Sequence, residues 1–348
     1  MIDIGITAIK NITAHRIGNK HNGDELFLSK KEISLNDAHF EDRLLKFFFS
    51  SLPLQDLHKF SSINDDFNEN VLYRLAKELF TGMSNFQTVS VQIAKLLYDA
   101  STHPQIKSGD LFVVHLKNIS YHGENINGLG IFKSESKHRF LQLHPSGDQM
   151  ELYLLEGILL EKLDKGALIL QTEAGDGYRV CSVDRTARDG EADFWKKGFL
   201  NTVPCNDEFQ QTKQMIELAK TFVTTQYIEE FDTVKTDQIE MLDRSRDYFK
   251  SRENFSTKEF EEEVLHQPEV IASFRNFKDQ FEENKHIELE EEFPISVQAV
   301  KKHQGMFKSI LKLDKNFHIY IHGNRELIEN GVDPDGRKFY KVYYEEEH

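Results

Sequence analysis

Apolar residues recur every three or four positions in two segments of the first third of the chain. This spacing puts apolar side chains on one face of a helix, so we predict helices over 69–81 and 86–100. The residues that set the spacing are Val71, Leu72, Leu75, Leu79, Val89, Ile93, Leu96 and Leu97. Both helices are expected to pack on a sheet.

Short apolar runs bounded by Gly, Asn or Asp predict the strands of that sheet. They cover residues 110–120, 129–133, 140–143, 152–163 and 167–171. Because the connections are short, we expect mostly antiparallel pairing.

A further helix is predicted over 191–200, where Trp195, the only tryptophan, should cover the sheet. From 207 to 281 apolar residues return at helical spacing within charged stretches, interrupted at 251–256 and at Pro268. Several amphipathic helices are expected there.

In the last part of the chain, apolar and polar residues alternate again, as they do in strands. Strands are predicted over 287–289, 307–313, 317–322 and 338–344, a short helix over 296–303, and a tight turn at Asp335-Gly336. The chain is therefore predicted to be an α+β protein. Its parts are an N-terminal domain (1–205) with a mostly antiparallel sheet and helices, an acidic helical segment (206–286), and a small β-rich C-terminal domain (287–348).

Composition narrows the class of protein. The chain has 348 residues, 39% of them hydrophobic, which predicts a globular protein of about two domains. Two cysteines are too few for a disulfide framework or a zinc site, and no secretion signal or membrane-spanning run is evident. A cytoplasmic protein is expected.

Charge is distributed unevenly along the chain. The net charge is −15, which argues against nucleic acid as a partner unless the positive residues are concentrated. Residues 201–286 carry 11 basic and 19 acidic residues, whereas residues 300–341 carry 9 basic and 5 acidic ones. We call residues 300–341 the basic segment.

Three motifs have ordinary structural interpretations. The glycines of 123–130 (GENINGLG) lack a following Lys-Ser or Lys-Thr, so a hairpin turn is favoured over a phosphate loop. His318 and His322 share a strand face, but no third metal ligand is evident. The charged run 184–193 is interpreted as a solvated loop. No cofactor or metal site is expected.

One enzymatic interpretation remains as an alternative. Some metal-dependent nucleases hold a metal with an Asp on one strand and the Glu of a Glu-x-Lys on the next. Asp110, Glu135 and Lys137 have this order here, although Glu135 lies past the expected end of its strand. Glu-x-Lys is a common tripeptide, so we do not expect an enzyme.

The basic segment is the remaining candidate site. Its cations are Lys301, Lys302, Lys308, Lys312, Lys315, Arg325, Arg337, Lys338 and Lys341, interleaved with aromatic residues. Lys308 and Lys312 share a strand face, and Lys338 lies on the face opposite Phe339. Such a basic face can follow a phosphate backbone while the aromatic face packs inward. A solvated sheet face explains the lysines equally well.

Five segments of the chain look familiar: 110–114 (DLFVV), 158–169 (ILLEKLDKGALI), 287–294 (IELEEEFP), 310–314 (ILKLD) with Phe317, and 336–340 (GRKFY). In these segments the chain resembles the bacterial nucleoid-associated proteins of the NdpA/YejK type. The resemblance implies a cytoplasmic protein of the bacterial nucleoid without a catalytic centre. It carries over no set of binding residues.

Together these observations predict a non-enzymatic nucleoid-associated protein that binds double-stranded DNA through backbone phosphates with little sequence preference. Two alternatives stay open. The chain could be an interaction module that the acidic helices recruit to another nucleoid protein, or a metal-dependent nuclease. Regular apolar spacing in the helical segment is also compatible with a homodimer.

Overall fold

A computed structural model describes residues 2–62, 66–186, 194–231, 233, 235–285, 287–307, 309–313, 317–321 and 327–346. The chain divides into two compact units, Met1–Cys205 and Asn206–His348. We call them the N-terminal unit and the C-terminal unit.

One antiparallel sheet organises the N-terminal unit. The strands of the unit are β1 (Ile2–Asp3), β2 (Ala8–Ile17), β3 (His58–Phe60), β4 (Gly109–Tyr121), β5 (Glu124–Ser134), β6 (His138–Ser146), β7 (Gln149–Gly157), β8 (Lys165–Leu170), β9 (Arg179–Asp184) and β10 (Thr202–Pro204). All but β6 and β7 join the sheet, in the order β1-β4-β5-β8-β9-β3-β10, with β2 also paired to β4. The expected antiparallel pairing is confirmed.

Helices cover both faces of this sheet. They are α1 (Ala38–Phe49), α2 (Val71–Thr81) and α3 (Phe86–Ala100). Leu111 and Val113 of β4 pack with α2 and α3, whereas Val114 and Leu116 pack with α1. Successive side chains of a strand point to opposite faces, so β4 is apolar on both sides.

The two helices predicted from apolar spacing are confirmed in α2 and α3. Asn70 and Asn85 are their N-caps, and each side chain accepts a hydrogen bond from a backbone N–H three residues on. Trp195 lies in a π-helix, Phe194–Leu200, and its Nε1–H donates to the carbonyl of Gly166 on β8 (3.2 Å). The predicted cover over the sheet is therefore present.

The assignment of 140–143 and 152–163 to the main sheet is wrong. These residues fall in β6 and β7, which pair only with each other among the described strands, and β7 ends at Gly157. The pattern of a strand is local, whereas the choice of its partner depends on distant residues.

The C-terminal unit is built from helices around an aromatic core. The helices are α4 (Glu208–Thr224), α5 (Gln226–Glu230), α6 (Lys235–Ser251), α7 (Thr257–Phe260), α8 (Pro268–Lys285) and α9 (Val297–His303). Buried phenylalanines of four of these helices and of the segments between and after them form one cluster that includes Phe222, Phe249, Phe274 and Phe307. Pro268 begins α8, as expected for a residue that fits the first turn of a helix.

Three two-stranded sheets complete the C-terminal unit. Their strands are β11 (Asn254–Ser256), β12 (Glu292–Pro294), β13 (Ser309–Leu313), β14 (Phe317–Ile321), β15 (Ile328–Val332) and β16 (Lys338–Val342). The predicted turn at Asp335-Gly336 joins β15 to β16, and Gly336 adopts a positive φ of 80°. The strand predicted over 287–289 is wrong, since Leu289 enters the core from an irregular segment.

The chain is thus a mixed α+β protein, as predicted. Within the described ranges we find no helix that combines the length and the apolar character of a bilayer span.

Candidate nucleic-acid interface

Lys301 and Lys302 occupy the last turn of α9. Ser296 caps the start of this helix, where its Oγ accepts from the N–H of Ala299 (3.3 Å). Ala299 and Val300 are buried, which leaves the two lysines exposed. Positive charge at a helix C-terminus also favours the helix dipole, so these lysines stabilise α9 whatever else they bind.

An aromatic ring lies next to one of these lysines. The Nζ of Lys302 is 5.3 Å from the ring centroid of Phe209, a residue of α4. At this distance the ammonium group is attracted by the face of the ring. The contact restrains the side chain of Lys302 beside the helix end.

A second group of cations lies on the hairpin of β15 and β16. Arg337, Lys338 and Lys341 are all exposed. Lys338 and Lys341 are three residues apart in β16, so they point to opposite faces of the hairpin. The hairpin therefore does not present all three cations on one face.

Carboxylates of the same hairpin neutralise two of these cations. The Arg337 guanidinium contacts Asp333 (3.2 Å) and Asp335 (2.8 Å), and Lys341 Nζ lies 3.6 Å from Glu329. Hydrogen bonds to Tyr343 and Glu329, with the charge of Glu329, raise the pKa of Lys341. Among the described residues, Lys338 forms no ion pair within 4 Å.

Part of the predicted site lies outside the residues that the structure describes. Lys308, Lys315 and Arg325 lie outside the described residues, as does His322. Lys312 has its backbone in β13, opposite His318, but its side chain is outside the described part of the chain.

The three residues of the nuclease alternative have other partners. Asp110 forms an ion pair with Lys137 and lies 3.6 Å from Arg16. Glu135 is bound by Lys133 at 2.8 Å. Both carboxylates thus contact lysines rather than converge on an open position.

Glu135 belongs to a cluster of buried charges at one end of the sheet. We call Lys133, Glu135, Lys165 and Asp184 the buried lysine cluster; each side chain is at most 5% exposed. Lys165 Nζ is 2.7 Å from Asp184 and 3.7 Å from Glu135. The hydroxyl of Thr186 donates to Glu135 (3.0 Å).

Lys133 is the most enclosed member of the cluster. Its Nζ donates to Glu135 and to the carbonyl of Lys107 (2.6 Å). Burial lowers the pKa of Lys133, and the charge of Glu135 partly opposes this change. Two lysines and two carboxylates balance in charge, which is the arrangement that buried ions require.

The remaining motifs have structural roles. Gly123 makes the turn between β4 and β5 with a φ of 86°, while Gly128 and Gly130 lie within β5, as expected for a hairpin. Asp184 of the charged run is buried rather than solvated, and residues 187–193 of the run are outside the described residues. In the part of the chain that the structure describes, no three His, Cys, Asp or Glu residues group to hold a metal ion.

A comparison with models of known protein families identifies the family to which the chain belongs. The model of one family, NA37, nucleoid-associated protein YejK, matches residues 13–344. The chain belongs to this family. The match covers both units, including every cation of the basic segment.

Membership in the YejK family confirms the resemblance found in the sequence and gives the chain a nucleoid-associated role. No curated protein and no solved structure matches the chain.

Proposed function

We propose that the chain is a non-enzymatic component of the bacterial nucleoid that binds double-stranded DNA in the cytoplasm. The basic segment makes the contact, through backbone phosphates and with little sequence preference. The observation that carries the proposal is the YejK family match, which extends over the basic segment and its local excess of cations in this acidic chain.

Electrostatics allow this contact despite a net charge of −15. The Debye length is ~8 Å at physiological ionic strength, so a phosphate responds chiefly to charges in its immediate surroundings. Residues 300–341 have a net charge of +4. A duplex placed against them is attracted locally while carboxylates beyond the screening distance have little effect.

The described cations differ in what they offer a phosphate. Lys301, Lys302 and Lys338 are exposed. Within the described ranges, Lys301 and Lys338 form no ion pair within 4 Å. Arg337 and Lys341 must exchange an exposed carboxylate for a phosphate, and such ion pairs contribute only about 0–1 kcal/mol. We therefore assign the larger share of binding to Lys301 and Lys338, together with Lys302, which adjoins Lys301 in the last turn of α9.

A triple substitution tests this assignment. Full-length protein with Lys301→Ala, Lys302→Ala and Lys338→Ala is titrated into a labelled duplex at low salt. We expect affinity to fall at least about tenfold, and the salt dependence to weaken by about one unit of slope per lysine, as for lost phosphate contacts.

The matched control replaces three exposed lysines of the N-terminal unit, Lys30, Lys31 and Lys117, with alanine. It makes the same change in net charge and should alter affinity less than about twofold. Equal losses in the two triple variants would show that net charge rather than the basic segment governs binding.

The same titration separates the two alternatives. Wild-type protein without salt-dependent affinity for DNA would point to recruitment by another nucleoid protein through the acidic helices α4 to α8. Cleavage of the duplex on adding Mg²⁺ or Mn²⁺, with loss of cleavage in Asp110→Ala or Glu135→Ala, would identify a nuclease.

A further inference from the structure

The hairpin of β6 and β7 exposes a group of large apolar residues. It pairs with no other described strand, and it runs in register from His138 opposite Gly157 to Ser146 opposite Gln149. Directly opposed residues share a face of the hairpin, so its two faces can be read from this register.

One face of the hairpin is apolar. Leu141 lies opposite Leu154, Leu143 opposite Leu152, and Pro145 opposite Met150. We call this surface the leucine face; its members are Leu141, Leu143, Pro145, Met150, Leu152 and Leu154. The four leucines and the methionine are 58–65% exposed. The ion pair of Arg139 and Glu156 (3.3 Å) lies on the same side of the hairpin, at the end away from its turn.

The other face is mixed. Phe140 lies opposite Leu155, but Gln142 opposes Tyr153 and His144 opposes Glu151. The Tyr153 hydroxyl donates to Glu151 on the same strand. The hairpin is thus amphipathic, with polar groups collected on the face opposite the leucines.

An amphipathic hairpin of this kind needs a cover on its apolar face. An isolated two-stranded hairpin is marginally stable in water, and a hydrophobic face becomes stabilising only when another layer packs on it. Exposed contiguous apolar patches on soluble proteins commonly mark interaction sites. The leucine face therefore points to a partner.

We propose that the leucine face packs against the leucine face of a second copy of this chain, around a two-fold axis. The face can pack against an identical face, because its six residues are uncharged and the adjacent ion pair of Arg139 and Glu156 is satisfied within one copy. An isologous contact of this kind closes at a dimer. Two such faces would interdigitate as the layers of a sandwich do.

The size of the face fits a dimer contact. With half or more of each side chain exposed, pairing two copies removes on the order of 1,000 Å² from water, the size at which specific interfaces begin. Its chemistry does not favour a nucleic acid as the occupant, since the six residues of the leucine face carry no charge and Arg139 beside them is paired with Glu156. The inference is independent of the DNA contact proposed above.

Light scattering coupled to gel filtration tests the proposal on the full chain. At tens of micromolar we expect wild-type protein at twice the chain mass of 40.6 kDa. Leu143→Glu with Leu152→Glu places charges at the centre of the leucine face, so this variant should run at the mass of one chain. Gln142→Glu, on the other face of β6, should remain dimeric.

Two results would overturn the proposal: wild-type protein with the mass of one chain, or a double variant that stays dimeric. If the double variant does not fold, hydrogen exchange of wild-type protein decides. Amides of 138–157 that become more protected as concentration rises support the dimer, whereas protection independent of concentration rejects it.

Discussion

Glu329 lies directly opposite Lys341 across the β15–β16 hairpin, with 3.6 Å between the carboxylate Oε2 and the ammonium Nζ. Both side chains are 57% exposed. The basic segment thus carries its own competitor for phosphate, since the carboxylate holds a cation that we assign to DNA and also repels the phosphate itself.

Replacing Glu329 with glutamine should strengthen DNA binding. The change releases Lys341 and removes one negative charge from the hairpin, with an expected gain of about twofold to fourfold in affinity, because exposed ion pairs are worth at most about 1 kcal/mol. Fluorescence anisotropy with a labelled duplex measures the change.

Glu69→Gln is the matched control, because Glu69 is an exposed carboxylate of the N-terminal unit. It should leave the affinity nearly unchanged. If Glu329→Gln binds no more tightly than this control, Lys341 takes no part in the contact.

The buried lysine cluster predicts a large stability effect. Lys133→Met leaves Glu135 buried with Lys165 at 3.7 Å as its remaining cation. Breaking a buried pair by removing one partner costs about 3–5 kcal/mol, and the second lysine places the expected loss at about 3 kcal/mol. Urea unfolding followed by Trp195 fluorescence reports on this unit, because the only tryptophan is fully buried against the sheet.

Two further variants complete this test. Lys137→Met breaks a more exposed pair with Asp110 and should cost less than about 1 kcal/mol. Combining Lys133→Met with Glu135→Gln should recover part of the loss, because the uncompensated charge is gone. Equal costs for Lys133→Met and Lys137→Met would contradict the role assigned to burial.

Buried histidines predict that acid destabilises the N-terminal unit. Burial lowers the pKa of His15 and of His115 to about 4, with the charge of Lys10 adding to the change at His115. Between about pH 6.5 and pH 4 the unfolded chain binds protons that the folded chain does not. The free energy of unfolding therefore decreases as the pH is lowered through this range, by at most about 1.4 kcal/mol per pH unit for each histidine.

His115→Leu should remove its share of this dependence. Neither ring nitrogen of His115 has a hydrogen-bond partner among the residues that the structure describes, so leucine loses no such contact of the ring. Unfolding monitored by Trp195 should show the variant gaining stability relative to wild type as pH falls from 7 to 5. The exposed His21→Gln serves as control; a pH profile of His115→Leu identical to it would be incompatible with the burial effect.

Local periodicity predicted the elements whose regularly spaced apolar residues all face the core. Helix α3 follows from Val89, Ile93 and Leu97, which all face the core. Strand β2 was not predicted, because a bulge between Ile9 and Asn11 shifts its register and breaks the alternation of two. Helix α1 was also not predicted: its run of three phenylalanines at 47–49 hides the helical period.

The candidate site could be predicted only in part, because its geometry depends on which strands pair with each other. The sequence locates the cations of the basic segment, but strand β15 was not predicted, so Glu329 could not be placed opposite Lys341. Lys133 and Lys165 likewise appear as ordinary charged residues at strand ends. Their burial depends on strands β5, β8 and β9 meeting side by side, which no local pattern specifies.

The salt dependence of DNA binding by the wild-type chain is the most direct test of the proposed function. If about five phosphates are neutralised, log Kobs should fall linearly with log salt at a slope of about −4 to −5, with similar values for duplexes of unrelated sequence. A slope near zero, or no binding at low salt, would contradict a phosphate contact by the basic segment.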